Sequence, residues 1–222
     1  MSPEPEELLQ EAVSMHQSSK FDKCIKAAEK ARKKFQEHGQ IDRATEALRV
    51  MADCTLNARD MKKAEKAYEE LWREGIKIDN YWYQSAAKWG LGQVSLRRLD
   101  YATASTRFQE GLEFARKIAD AWYTAWNAMG LASAYRGTGR LDEAKVLLEE
   151  AITNFKKANQ LTFAGWAEKA LVDIGGELKA DTPEEIQPYL CPMCGSRFNS
   201  RQAGQLRKGK LVTCDYCGTA VG

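Results

Sequence analysis

Four of the six cysteines stand in two CxxC pairs near the end of the chain, a spacing that suits metal binding. The pairs are Cys191 with Cys194 and Cys214 with Cys217, and a glycine follows each pair directly. Two sulfurs of one tight turn can reach the same ion, and two such turns supply the four thiolates of a closed tetrahedral site. We therefore predict that these four cysteines bind one structural Zn²⁺.

Two alternatives to zinc stay open from the cysteine pattern. Iron in a rubredoxin-like site is the first, because four thiolates suit both metals, and it would make the protein a redox carrier. The second is that the cysteines bind no metal. Zinc would explain how so small a segment folds, since metal binding worth on the order of 10–16 kcal/mol compensates for a small apolar core.

The segment that carries these cysteines resembles a zinc ribbon, in which short antiparallel strands join the two metal-binding turns. The resemblance places strands around 196–199 and 210–213. Five basic residues and no acidic residue lie between the two CxxC pairs, so contact with DNA or RNA phosphates is the alternative function. A solvated loop beside negatively charged thiolates would explain the same charges. The five residues are Arg197, Arg201, Arg207, Lys208 and Lys210.

The rest of the chain repeats one apolar pattern every 40 residues, which predicts stacked helical hairpins. A small residue recurs at one position of each second helix, and a larger apolar residue usually stands four residues later. The small residues are Cys24, Ala64, Ala104 and Ala144, and the later ones are Ala28, Tyr68, Phe108 and Leu148. Small residues where helices cross allow close packing, so the pattern indicates a solenoid.

The stretch 125–158 resembles the tetratricopeptide repeat (TPR). The residues at that family's motif positions are Leu131, Ala132, Tyr135, Gly139, Ala144, Leu148 and Ala151. The fold class expected is all-α: a TPR-like helical-hairpin solenoid followed by a small β zinc-ribbon module. The solenoid, with four hairpins and a closing helix at 161–179, is expected over 1–179, the linker over 180–188 and the ribbon over 189–222.

A groove lined by the first helix of each hairpin is the predicted partner-binding site. Aromatic surface with a few polar groups suits a peptide or a partner helix. The alternative is that the aromatic rings fill seams between helices, and we favour that alternative for Tyr83, Tyr123 and Phe163. The predicted groove residues are Arg49, Asp53, Trp89, Gln93, Trp126, Met129, Ser133, Trp166 and Lys169.

Composition and missing motifs exclude other function classes. A net charge of +2 over 222 residues gives no whole-molecule attraction to nucleic acid or anionic membrane. No run approaches the ~18 apolar residues of a membrane helix. His16 and His38 have no nucleophile near them in the sequence, and no phosphate-binding loop is present, so we expect no enzyme and no small-molecule substrate.

The cellular location expected is the cytoplasm. The first residues, MSPEPEELL, lack the layout of a secretion signal, and paired CxxC motifs favour metal binding over disulfides. Cys24 is expected to be a packed thiol and Cys54 simply a small residue. Together these observations predict a scaffold or adaptor that holds a protein partner.

Overall fold

Helices follow one another through most of the chain, joined by turns of one repeating form. A computed structural model describes residues 4–178, 198–206, 210–213, 215 and 220–221. The chain divides into two compact units, Met1–Glu177 and Leu178–Gly222. The helices of the first unit are α1 (Pro5–Gln17), α2 (Phe21–Glu37), α3 (Ile41–Asn57), α4 (Met61–Lys77), α5 (Tyr81–Arg97), α6 (Tyr101–Lys117), α7 (Ala121–Gly137), α8 (Leu141–Lys157) and α9 (Leu161–Asp173).

A residue in the left-handed backbone region follows each of the first eight helices, at 20-residue intervals. The eight residues that separate the helices are Ser19, Gly39, Arg59, Asp79, Leu99, Ala119, Gly139 and Asn159. The next amide then bonds back into the helix, as Lys20 N does to Met15 O at 2.8 Å. This hydrogen bond satisfies one of the carbonyls left open at a helix C-terminus. Consecutive helices therefore reverse direction through nearly identical turns.

Side-chain caps start several helices of the first unit. At the starts of the second helices α4 and α6, Asp60 and Asp100 each accept a hydrogen bond from a first-turn amide. Asn80 and Asp120 do the same for α5 and α7.

Burial confirms the register predicted from the 40-residue pattern. Cys24, Ala64, Ala104 and Ala144 are fully buried. Glycines on the first helices face large rings of neighbouring second helices: a Cβ at Gly130 would lie 2.3 Å from the Phe108 ring. Such positions accept no larger side chain unless the helices separate, so glycine sets the helix spacing here.

The odd-numbered helices form one side of the stack. Each odd-numbered helix from α1 to α5 contacts the next odd-numbered helix as well as its hairpin partner. Within residues 4–178, no two even-numbered helices contact each other to that extent. We call the solvent-facing side of the odd-numbered helices the inner face. The last helix is shorter than predicted: α9 ends at Asp173, because Gly175 takes the left-handed conformation and Gly176 N bonds to Leu171 O.

The described residues of the second unit form one short helix and one pair of strands, and residues 196–197 of the first predicted strand lie outside the described residues. Helix α10 (Ser200–Leu206) follows directly on 198–199, where a strand was expected. Asn199 starts this helix by exchanging hydrogen bonds with Gln202, both at 2.9 Å. The strand β1 (Val212–Thr213) lies within the second predicted strand, 210–213, and pairs antiparallel with β2 (Ala220–Val221).

Candidate functional site

An ionic cluster occupies the part of the inner face that α3 contributes. Arg49 Nη1 donates to Asp53 Oδ2 at 2.6 Å, and its Nε and Nη2 donate to the two carboxylate oxygens of Glu46 at 2.9 and 2.6 Å. The Tyr68 hydroxyl donates to the other oxygen of Asp53 at 2.6 Å. One guanidinium therefore holds two carboxylates, and the Tyr68 hydroxyl satisfies the remaining Asp53 oxygen.

Burial governs the electrostatics of this cluster. The side chains of Arg49 and Asp53 are only 19% and 18% exposed. Burial raises the pKa of Asp53, and the positive charge of Arg49 opposes that shift. Burial also raises the pKa of the Tyr68 hydroxyl well above its usual value, and that of Tyr83 to about 12. The tyrosines behind the ionic cluster consequently stay neutral and donate hydrogen bonds.

An aromatic cluster occupies the inner face from α5 to α9. Trp126 lies at its centre, with its ring centroid 5.8 Å from that of Trp89, 5.1 Å from Phe163 and 5.2 Å from Phe155. These pairs meet edge to face, the arrangement that aromatic rings prefer. Rings from α5, α7, α8 and α9 thus form one continuous contact network.

The exposed end of this aromatic cluster is Trp166 on α9. Its ring lies 5.0 Å from Phe163, yet the residue is 53% exposed. Trp89 and Trp126 are half-buried and pack against the core of the C-terminal hairpins. The rings therefore serve both roles considered from the sequence: they fill the seams between helices and present aromatic surface to solvent.

The other predicted groove residues lie on the same helices with different neighbours. Met129 packs against the core, and Ser133 donates its hydroxyl back to Met129 O at 2.9 Å. Gln93 is half-buried on α5. Lys169 forms an exposed ion pair with Asp173, so its ammonium already has a carboxylate partner.

Several residues that contact the ionic cluster were not predicted from the sequence. Glu46 and Tyr68 complete the ionic cluster, and the Trp82 ring lies under the Arg49 guanidinium, 5.6 Å away. Glu46 stands three residues before Arg49, so helical spacing alone was a usable signal. Tyr68 belongs to α4, and only the packing of hairpins reveals its contact. Tyr83 and Tyr123 are buried, as the seam-filling interpretation expects.

Cys24 and Cys54 form a disulfide, so the prediction that these two cysteines stay unpaired is wrong. They stand on α2 and α3, with Cα atoms 6.3 Å apart, and both residues are fully buried. That separation is within the range for disulfides. The packing of α3 against α2 brings the two positions together, which the sequence spacing did not show. Disulfides are rare in the cytoplasm, so this pair does not support the location expected from the CxxC motifs.

The predicted metal ligands Cys191, Cys194, Cys214 and Cys217 lie outside the described residues. So do three of the predicted phosphate contacts, Arg197, Arg207 and Lys208. The other two, Arg201 and Lys210, are exposed. Among the described residues, no three His, Cys, Asp or Glu side chains converge as metal ligands would.

Comparison with known proteins identifies the repeats in the C-terminal part of the stack. Residues 83–157, which run from α5 to α8, match the family model described as Tetratricopeptide repeat. No curated protein matches the chain. Tetratricopeptide repeats are a non-enzymatic family that generally mediates protein–protein interaction. None of the helices in the described ranges has the length and apolar character needed to span a bilayer.

Proposed function

We propose that the inner face binds a segment of a protein partner, and that the protein acts as a scaffold or adaptor. The observation that carries this proposal is the continuous aromatic cluster, which ends in the half-exposed ring of Trp166. Large aromatic side chains that stay accessible beside a rigid, packed support are typical anchors of protein interfaces.

The partner segment is expected to place apolar side chains against Trp126 and Trp166. The ionic cluster at α3 contributes less binding energy, because Arg49, Glu46 and Asp53 already satisfy one another. We expect this cluster to set the orientation of the partner segment instead. Its carboxylates are already paired, so they do not compensate a charge that the partner brings to the wrong place.

The CxxC tail is proposed to hold a structural Zn²⁺ and to supply a second contact surface. The donor set supports this proposal, because Cys191, Cys194, Cys214 and Cys217 provide four thiolates at the spacing of closed zinc sites. Two contact modules in one chain would recruit one partner to another, with the linker setting the effective concentration.

A quantitative capture experiment tests the inner face. The tagged full chain is compared with Trp166→Ala and with Val146→Ala, which removes a 67% exposed side chain from α8 on the other side of the stack. Specific partners should be depleted about tenfold by Trp166→Ala and retained by Val146→Ala. Equal recovery with all three proteins would refute binding at the aromatic cluster.

Metal analysis tests the tail separately. The purified protein should contain one equivalent of zinc and be colourless, and changing Cys191 and Cys194 to serine should abolish the zinc content without changing helical circular dichroism. A visible thiolate-to-iron absorption band would instead establish the iron alternative. An absence of any bound metal would overturn the proposal for the tail.

A further inference from the structure

A second polar feature lies at the edge of the stack, where the odd-numbered helices end. Asn57, Arg59, Met61 and Arg97 line a pocket between the end of α3, the start of α4 and the end of α5. Arg97 Nη1 donates to Leu56 O at 2.5 Å, which fixes its guanidinium over the end of α3. Asn57 Nδ2 lies 2.9 Å from His16 Nε2, which fixes the amide.

The charges around this pocket are not balanced. Among the residues that line it there is no carboxylate. The nearest acidic residue in sequence, Asp60, pairs with Lys63 at 3.0 Å, and Glu65 pairs with Arg98 at 2.8 Å. Partial burial lowers the pKa of the Arg97 guanidinium, and the charge of Arg59 lowers it further. Two arginines thus line one pocket whose lining residues include no carboxylate.

The partial negative charge at the C-terminus of α3 explains the position of only one of the two guanidiniums, that of Arg97. The open carbonyls at the C-terminus of α3 attract a cation, and the bond from Arg97 to Leu56 O uses that attraction. Arg59 has no such hydrogen bond to a carbonyl within the described part of the chain. An anion placed between the two guanidiniums would relieve their mutual repulsion.

The same place in the next hairpin is closed, so the pocket is not a feature of every repeat. Forty residues further on, Tyr101 replaces Met61 and Gly137 replaces Arg97. The Tyr101 ring fills the space there, since a Cβ on Gly137 would lie 2.4 Å from it. The open pocket therefore results from the side chains of this repeat and not from the backbone turn.

We propose that Asn57, Arg59 and Arg97 form a binding site for a phosphate group. Guanidinium forks match the geometry of a tetrahedral oxyanion, and the Asn57 amide supplies a neutral donor beside them. The phosphate can be a free anion or a phosphoryl group carried by a side chain of a bound protein. This site is separate from the aromatic cluster, so each can fail without the other.

Titration of the ¹⁵N-labelled full chain tests the site, with inorganic phosphate and O-phosphoserine as probes at constant ionic strength. Saturable shifts are expected for the Asn57 side-chain amide and the Nε–H groups of Arg59 and Arg97. Arg59→Gln and Arg97→Gln should each weaken binding at least about tenfold. Arg136→Gln, which neutralises another exposed arginine at this edge, should leave binding unchanged.

The two probes distinguish the two sources of phosphate. Equal affinity would indicate a free anion, and tighter binding of O-phosphoserine would indicate a phosphorylated side chain. Circular dichroism checks that Arg97→Gln still folds, and Arg59→Gln tests the site without removing the bond to Leu56. Linear shifts that are the same in every variant, or no shifts at all, would overturn the proposal.

Discussion

The ionic and aromatic clusters share one helical frame and differ in what they leave available to a partner. Arg49 and Trp89 occupy equivalent positions of α3 and α5, as do Asp53 and Gln93. On α3 these positions hold an ion pair whose polar atoms are satisfied within the protein. On α5 the first of these positions holds Trp89, a ring of the aromatic cluster that stays partly exposed to solvent. The backbone therefore determines where a side chain lies, and the residue type determines whether it pairs within the protein or stays exposed to solvent.

Within the aromatic cluster, we expect the central ring to contribute mainly to stability and the exposed ring at the end to contribute mainly to the proposed binding. Trp126 and Trp166 stand 40 residues apart at the same helical position. Trp126→Ala should lower the free energy of unfolding by about 3–4 kcal/mol, because its ring contacts those of Trp89, Trp122, Phe155 and Phe163. Trp166→Ala should cost less than about 1 kcal/mol. Urea unfolding measures both, and equal losses would contradict the division.

The ionic cluster can be tested against an exposed pair at the same positions. Arg49 with Asp53 and Lys169 with Asp173 are equivalent pairs four residues apart, but the Lys169 and Asp173 side chains are 75% and 50% exposed. Arg49→Met should lower the free energy of unfolding by about 3 kcal/mol, because it strands two carboxylates. Lys169→Met should change it by less than about 0.5 kcal/mol. Similar effects of both changes would show that burial does not matter here.

Helix spacing in the part of the stack that carries the aromatic cluster can be tested with glycines. Gly130→Ala should lower the free energy of unfolding by about 2 kcal/mol, since the new methyl group meets the Phe108 ring. Gly165→Ala on α9 places its methyl group in open space. That change should raise stability by about 0.5–1 kcal/mol through helix propensity. Denaturation of both variants by urea checks these opposite signs.

A further prediction concerns the stability of the protein at alkaline pH. Tyr83 has a folded-state pKa raised to about 12 from a usual value of 10, mainly by burial. Between these values the unfolded chain loses the phenolic proton and the folded chain keeps it, so stability falls as pH rises. Tyr83→Phe should reduce that fall between pH 10 and 12 and leave the slope below pH 9 unchanged. The urea concentration at the unfolding midpoint measures the difference: across this pH range it should fall less steeply for Tyr83→Phe than for the unchanged protein.

Sequence patterns within single helices predicted many buried positions of the stack, but not the hydrogen bonds and the disulfide that join different helices. The 40-residue register identified the buried positions of Ala64, Ala104 and Ala144, because each depends on a face that repeats along the helix. The bond from Tyr68 to Asp53 and the disulfide between Cys24 and Cys54 join different helices. No spacing rule within one helix reports such contacts.

The inner face shows the same limit. Helical spacing placed Trp126 and Trp166 at the same position of successive repeats, yet their burial differs because the number of neighbouring helices differs. Trp126 has neighbours on both sides, whereas Trp166 belongs to the last described helix of the first unit. In the tail, residues 198–199 of the strand expected at 196–199 form no strand, because the exchange between Asn199 and Gln202 starts a helix there.

The uniform turns also constrain how this molecule can change in length. A left-handed residue recurs every 20 positions, so every hairpin has the same size and the same phase. Inserting one amino acid within a helix would rotate everything after it by about 100° and misalign all later interfaces. Adding or removing a whole 40-residue unit would preserve every junction. An ancestral gene could therefore grow by duplication of complete units far more readily than by small insertions.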